Sequence, residues 1–316
     1  MVDFGELSML TLTGSTALQL YAQIGVADEL SDSPSCNGLD WGHGRAKDLL
    51  DLEELGISPS PEHPVDILVD HRDHRIQSNK VVNHVCQSKL PPHAVVRLAP
   101  GVFIATPEFC FLEAAKQGVA YAAAIGMECC GAYGRDDSPR GFADRAPISS
   151  LTRLSAAVAA AKGHRGRRNA LASLRLVLEN SRSPLETKTA LALTCPETLG
   201  GYGLPSPICN YEVVREPGQF GVFQSPRYFI DLCWPNKMVA VECDSYSYHA
   251  SKDGLDSDSM KRNSLTAVGW RCYSATAAQL TGDQLDVFAH QVANALGAAA
   301  ARPHPAVRDK LMETLP

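Results

Sequence analysis

The sequence predicts a mixed α/β (α+β) protein that is built from two domains. In the final third, strand-like apolar runs precede a helix, another strand and a closing helix, which is typical of a small mixed sheet flanked by helices. The N-terminal half instead alternates short apolar runs with polar turns. With 316 residues, the chain is long enough for two separate cores.

The domain boundary is expected near residue 181, where Ser183, Pro184 and Glu186 form a helix-start signal. Residues 1–148 are then an N-terminal α+β domain, residues 149–180 a helical connector and residues 181–316 the C-terminal domain. A loop rich in Gly, Pro and charge at 131–147 precedes the connector.

Elements of the N-terminal half follow from turn and capping signals. A short strand leads into a helix from about Thr16, and a short helix is expected over 46–54. Residues 65–87 suggest a β-hairpin or meander, and Thr106 begins a capped helix. The connector should contain a helix from near Ser149 and a basic helix over about 168–180.

Elements of the final third follow from apolar periodicity. Strands are expected at 211–215, 227–233 and 238–244. A helix over 257–268, a strand over 269–274 and a helix over 282–300 complete this domain.

Composition indicates an ordinary globular protein, with 45% hydrophobic and 20% charged residues. The N-terminal residues lack a basic leader with an apolar core, and no apolar run reaches a membrane span, so a cytoplasmic protein without a membrane partner is expected. The ten cysteines form no CxxC pair and are interpreted mainly as small buried hydrophobic residues.

A net charge of −6 argues against nucleic-acid binding through bulk electrostatics, although local charge can still provide it. The segment 162–175 is basic and contains no acidic residue. Arg165, Arg167 and Arg168 are therefore candidates for phosphate contacts, and a solvated helix surface is the alternative.

Three carboxylates on two neighbouring strands point to a metal site. Asp231 precedes the turn WPNK, while Glu242 and Asp244 follow it, two residues apart and so on one face of a strand. Carboxylates gathered beside apolar strands repel one another unless a cation or a shared proton offsets the charge. The backbone carbonyl of Cys243 is a further candidate ligand, and oxygen donors of this kind suit Mg²⁺.

The C-terminal third resembles the very-short-patch-repair (Vsr)-like branch of the PD-(D/E)XK nuclease superfamily, over roughly residues 181–295. The residues that carry the resemblance are Glu186, Asp231, Glu242, Asp244, His249, Asp258, Arg262, Asn263, Leu265 and Gly269-Trp270-Arg271. The resemblance implies a restriction-endonuclease-like mixed sheet, with Mg²⁺ or Mn²⁺ bound by Asp231 and Glu242.

The same resemblance implies a metal-binding or orienting role for Glu186 and makes His249 a candidate general acid or base. Lys261 and Arg262 would hold the DNA backbone. Two positions depart from the family pattern: Asp244 stands where many members carry lysine, and Ser245 where glycine often follows.

Each site residue also has a structural interpretation. In this interpretation Glu186 is simply a helix-start residue, and Asp231 and Glu242 are surface residues of an edge hairpin. His249 can be an ordinary loop histidine, and Arg262 can pair with Asp258 on its own helix. Trp270 is expected in the core.

The N-terminal half resembles the AbiEi-type antitoxin or regulator proteins of actinobacteria. The carrying segments are LTLTGSTALQLY, the run around VDILVDHRDHRI, LPPHAVVRLAPGVFIATPEFCFLEAA, CGAYGRDD and RAPISS. The winged helix typical of those antitoxins is not evident. Within this half, the cluster from His71 to Arg75 is interpreted as a solvated turn.

Two functions follow from these patterns. The first is a metal-dependent DNA endonuclease of repair or defence type, with an N-terminal domain that binds DNA or a toxin-like or defence protein. The alternative is a catalytically inactive nuclease fold that binds DNA or a protein partner in an AbiEi-like antitoxin or transcriptional-regulator role. Asp244 in the lysine position is compatible with either.

Overall fold

The computed structural model describes residues 9–24, 41–215, 225–244 and 252–315. The chain divides into two compact units, each combining helices with a sheet, so the predicted mixed α and β class is confirmed. The first unit comprises the chain up to Cys129 together with residues 134–175, and the second comprises 130–133 and the chain from Leu176 onward. Residues 149–175 of the expected connector thus belong to the first unit.

The first unit is built on a five-stranded mixed sheet with the strand order β3-β2-β1-β5-β4. β1 pairs antiparallel with β2 and parallel with β5, and its three residues are all buried. The strands are β1 (Leu10–Leu12), β2 (Val65–Val69), β3 (Val81–Val85), β4 (Val95–Ala99) and β5 (Val102–Ala105).

The expected hairpin over 65–87 is wrong, because β2 and β3 run parallel, with Ile67 opposite Asn83. A parallel pair requires a crossover connection in place of a tight turn. The crossover contains a short 3₁₀ helix, Arg72–His74, and leads into β3, which is an edge strand of the sheet. The Asn83 side chain anchors the return, since it accepts a hydrogen bond from Ile76 N (2.9 Å) and donates one to Ile76 O (3.0 Å).

Helices of the first unit begin largely where capping residues predict. Thr106 caps the helix that starts at Pro107, and Ser150 caps the one that starts at Leu151. The basic helix ends at Ser173, earlier than expected, and the segment expected as a loop contains two short paired strands. The elements are α1 (Gly14–Ile24), a 3₁₀ helix (Ala46–Leu55), α2 (Pro107–Ala114), α3 (Val119–Cys129), β6 (Tyr133–Arg135), β7 (Phe142–Asp144), α4 (Leu151–Ala160) and α5 (Arg167–Ser173).

The second unit contains a four-stranded sheet with the order β11-β10-β9-β8. β8, β9 and β10 are antiparallel neighbours, and β10 pairs parallel with β11 after the chain has crossed over through α7. The elements are α6 (Pro184–Thr194), β8 (Ile208–Val214), β9 (Arg227–Trp234), β10 (Val239–Asp244), α7 (Lys252–Ala267), β11 (Arg271–Thr276), α8 (Gly282–Leu296) and α9 (Pro305–Thr314).

One hydrophobic cluster joins the sheet of the second unit to α7. It contains Ile230, Cys233, Ala240, Leu265 and Trp270, and Trp270 is only 5% exposed, which confirms its expected place in the core. The closing helix α9 was not predicted from the sequence. In the described part of the chain, none of the helices has the length and apolar composition needed to cross a bilayer.

We expect Thr106→Ala to lower the free energy of unfolding by about 1 kcal/mol, because the threonine hydroxyl accepts from Phe109 N and caps α2. Thr106→Ser retains the hydroxyl and should keep most of the stability. Urea unfolding followed by circular dichroism measures both. Equal midpoints for wild type and the alanine variant would show that the cap contributes nothing.

Candidate functional site

Asp231 and Glu242 lie side by side on neighbouring antiparallel strands. The register of β9 and β10 pairs Val241 with Leu232, and Asp231 and Glu242 are the next residues along each strand. Residues opposed in this way project from the same face of a sheet. Asp231 is held by the backbone of the partner strand, because its Oδ2 accepts a hydrogen bond from Cys243 N at 2.7 Å. The pairing inferred from the sequence is therefore present.

Glu242 forms an ion pair with a lysine of α7. Lys261 Nζ donates to Glu242 Oε2 at 2.6 Å, and the two side chains are 22% and 10% exposed. The other carboxylate oxygen, Oε1, is buried and has no hydrogen-bond partner. Lys261, which the resemblance assigns to the DNA backbone, thus lies against an acidic group of the candidate site.

Asp244 is matched by Arg262 of the same helix. The Arg262 Nη2 to Asp244 Oδ2 distance is 3.5 Å, and both side chains are partly exposed. The side chain of Asp258, the other expected partner of Arg262, lies outside the described residues. Two ion pairs therefore connect the last three residues of β10 with α7: Glu242 pairs with Lys261, and Asp244 pairs with Arg262.

Glu186 is hydrogen-bonded to neighbouring polar groups, and its metal-binding or orienting role stays a prediction. It is buried at the start of α6, where Ser183 Oγ accepts from Glu186 N and donates to Glu186 Oε1, both at 3.1 Å. Its Oε2 accepts from Arg182 N (2.8 Å) and from Asn210 Nδ2 (3.0 Å). Glu186 is thus a helix-start residue by its hydrogen bonds. Burial and then the charge of Asp231 raise its pKa, so Glu186 is also electrostatically linked to the site.

Burial makes these carboxyl groups poor acids. Burial and then the charge of Asp231 raise the pKa of Glu186 to about 8 and that of Glu242 to about 7, although Lys261 lowers the latter. Burial also raises the pKa of Asp231, against the opposing effects of Lys261 and the Cys243 amide. In the absence of a further cation, the cluster therefore tends to retain protons.

Cys243 contributes its backbone amide to Asp231. Burial, followed by the charges of Asp231 and Glu186, raises the pKa of its thiol well above the ordinary value, so the side chain is expected to remain a neutral thiol. Its backbone carbonyl as a metal ligand remains a prediction.

The other candidate residues lie elsewhere. Arg165, Arg167 and Arg168 belong to the first unit; Arg165 and Arg168 are exposed, whereas Arg167 Nε donates to Val158 O at 2.9 Å. The described residues do not include His249, so its proposed acid or base role stays a prediction.

Two groups of possible metal ligands were not predicted. Among the described residues, three ligand atoms lie within 4.8 Å of one another in His43–Asp70–His74 and in Cys86–Glu113–His164, and neither group includes Asp231 or Glu242. His74 Nδ1 lies 2.5 Å from Asp70 Oδ1, and its ring is tilted by 60° against the ring of His43, with centroids 4.2 Å apart. Residues 71–75 are all exposed, as expected for a solvated segment. Asp70 and His74 are only four residues apart, but His43 is distant from both in sequence, and the three members of the second group are distant from one another.

Comparison of the chain with protein-family models, with curated proteins and with solved structures finds no match in any of the three.

We expect the second unit to lose stability as the pH rises from about 4.5 to about 7. In this window the carboxyl group of Glu242 keeps its proton in the folded protein and releases it in the unfolded chain. The stability that this proton provides is fully present below the pKa of the unfolded chain and is lost as the pH rises through the pKa of the folded protein. In Glu242→Gln, the decrease in the free energy of unfolding across this range should be smaller than in wild type by an amount on the order of a few kcal/mol. Urea midpoints measured across this range provide the test.

Glu212→Gln is the matched control, since Glu212 is an exposed residue of the same sheet, paired with Arg227. Identical pH profiles for Glu242→Gln and wild type would contradict the burial of a protonated Glu242.

Proposed function

We propose that the second unit is a metal-dependent DNA endonuclease of the Vsr-like PD-(D/E)XK type, which hydrolyses phosphodiester bonds with Mg²⁺ or Mn²⁺. The single observation that carries this proposal is the pair of Asp231, which is partly buried, and Glu242, which is buried. Lys261 contacts one carboxylate oxygen of Glu242, and the other oxygen has no hydrogen-bond partner. The helix-strand-strand-strand-helix-strand order from α6 to β11 is compatible with the nuclease fold that the sequence resembles.

The chemical type of the donors suits a hard divalent cation, although Asp231 and Glu242 belong to neither of the three-residue groups, among the described residues, whose ligand atoms lie within 4.8 Å of one another. Asp231, Glu242 and Glu186 provide carboxylate oxygens, the ligand type that Mg²⁺ prefers. Glu242 Oε1 is a buried acceptor with no hydrogen-bond partner, while Oε2 accepts from Lys261, so Oε1 would be available to hold an ion without loss of the ion pair. A bound divalent ion supplies Lewis-acid activation of water and stabilises negative charge on the phosphate.

The residues around the carboxylates have separable roles. Lys261 orients Glu242 and provides positive charge beside the position where the phosphate would bind. Arg262 offsets Asp244, the acidic residue that replaces the usual lysine, and can extend the positive surface toward DNA. The buried cluster keeps carboxyl groups with raised pKa values close to neutral pH, which suits proton exchange.

We expect the full-length protein to nick supercoiled plasmid in the presence of Mg²⁺ or Mn²⁺ and to stop when the ion is chelated. Asp231→Asn and Glu242→Gln should each lower the rate by a factor of about 100 or more, because losing a ligand removes several kcal/mol of charge stabilisation. Agarose-gel quantification of nicked and linear DNA measures the effect.

Glu212→Gln, on the same sheet but in an exposed pair, is the control variant and should nick like wild type. Nicking that is equal in Glu242→Gln and wild type would exclude this carboxylate as a catalytic ligand and identify a contaminating nuclease or another site.

A second function, a nuclease fold retained for binding, is favoured by a different observation. Lys261 and the Cys243 amide already satisfy one oxygen of each paired carboxylate without metal, and Asp244 replaces the usual lysine. In this proposal the protein is an AbiEi-like antitoxin or regulator that binds DNA or a toxin-like or defence protein, and the first unit supplies the exposed Arg165 and Arg168.

Under the binding proposal, Arg165→Ala combined with Arg168→Ala should weaken DNA binding and lower the salt slope by about 2, one unit for each lost phosphate contact. Fluorescence anisotropy with labelled duplex, with and without chelator, measures both quantities. Arg140→Ala, on another surface loop, is the control. Binding that requires a divalent ion, or that is unchanged in the double variant, would count against this function.

A further inference from the structure

The first unit brings together a thiol, a carboxylate and an imidazole from three distant parts of the chain. Cys86 follows β3 directly, Glu113 lies in α2, and His164 lies in the turn between α4 and α5. All three belong to the first unit, so they are independent of the carboxylate cluster in the second.

The two distances from the imidazole nitrogen to the other ligand atoms match a tetrahedral zinc site. His164 Nε2 lies 3.5 Å from Cys86 Sγ and 3.3 Å from Glu113 Oε1, and all three atoms lie within 4.8 Å of one another. Zinc bonds of about 2.3 Å to sulfur and about 2.0 to 2.2 Å to nitrogen and oxygen, at tetrahedral angles, separate such ligands by roughly 3.3 to 3.6 Å. The two distances from His164 Nε2 are thus those that a shared ion would require, and the distance from Cys86 Sγ to Glu113 Oε1 is at most 4.8 Å.

The protein alone leaves this cluster incompletely satisfied. Cys86 and His164 are buried, with the His164 side chain only 1% exposed, and the Glu113 side chain is 10% exposed. Glu113 Oε1 has no hydrogen-bond partner although Nε2 is close to it, and His164 Nδ1 has none either. A single proton on Nε2 cannot point at both Sγ and Oε1, whereas a metal ion can be bonded by all three atoms.

Neighbouring side chains hold the ligand atoms in position. Lys116 Nζ bonds the other oxygen, Glu113 Oε2, at 2.6 Å and so leaves Oε1 directed at the cluster. The Phe109 ring packs edge-on against His164, with centroids 5.7 Å apart, and helps to fix its orientation.

We propose that Cys86, Glu113 and His164 form a zinc site that joins β3, α2 and the α4–α5 turn of the first unit. A sulfur, nitrogen and oxygen donor set is typical of Zn²⁺. Binding releases the thiol proton of Cys86 and the Nε2 proton of His164 to solvent, and the fourth position is left for water or an exogenous ligand. The first unit is then tied together by an ion as well as by its hydrophobic core.

Cobalt substitution tests the site, because Co²⁺ bound to a thiolate gives a sulfur-to-metal charge-transfer band in the near ultraviolet. The full-length protein is purified from cells grown in minimal medium supplemented with Co²⁺, so that the ion enters during folding. We expect about one cobalt ion per chain and a charge-transfer band. Cys86→Ser should abolish the band, and Glu113→Gln should lower bound cobalt by about 10-fold or more.

Two controls isolate the cluster. Cys272→Ser removes a partly buried cysteine of the second unit, and His74→Ala removes a histidine of the sulfur-free His43–Asp70–His74 group; both should keep the band. Circular dichroism verifies that each variant is folded, and the isosteric Glu113→Gln variant provides a second reading if Cys86→Ser does not fold.

Wild-type protein without the charge-transfer band, or a band that persists in Cys86→Ser, would overturn the zinc site. Nuclease activity does not enter this measurement, so failure of the zinc site and failure of the proposed endonuclease are distinguished.

Discussion

Charge compensation between two neighbouring strands, β9 and β10, organises the second unit. Asp231 and Glu242 are adjacent on β9 and β10, and two ionised carboxylates in such a place repel each other and lack solvent. Two contacts offset this cost: the backbone amide of Cys243 donates to Asp231, and Lys261 of α7 donates to Glu242. The crossover helix therefore supplies the cation of the site as well as the connection between parallel strands β10 and β11.

Two acidic residues of the first unit differ in how fully their carboxylate oxygens are hydrogen-bonded. Asp66 accepts from Ser15 N at 3.0 Å and contacts His84 Nε2 at 2.6 Å, so its pKa is lowered even though burial alone would raise it. Glu113 has Lys116 on one oxygen, whereas the other has no hydrogen-bond partner and only the 3.3 Å contact with His164 Nε2. A buried polar atom without a partner is costly, so it indicates a group that another ligand completes.

Elements with local signals could be predicted from the sequence. The start of α6 at Pro184 follows from Ser183 and Glu186, and the three strands β8, β9 and β10 follow from apolar runs bounded by turns. The parallel pairing of β2 with β3 could not be predicted, because strand direction depends on which neighbours compete for each edge. The same holds for Lys261, since its reach to Glu242 depends on how α7 packs beside β10.

The sequence by itself determined the class of fold, the neighbouring positions of Asp231 and Glu242, and the helix-start role of Glu186, because these depend on periodicity and on hydrogen bonds between residues close in the chain. Only the tertiary structure decided which cation meets Glu242, that Arg262 faces Asp244, and that Cys86, Glu113 and His164 converge. Those contacts join residues that are distant in sequence, so their geometry is fixed by the packing of whole elements and leaves no spacing pattern along the chain.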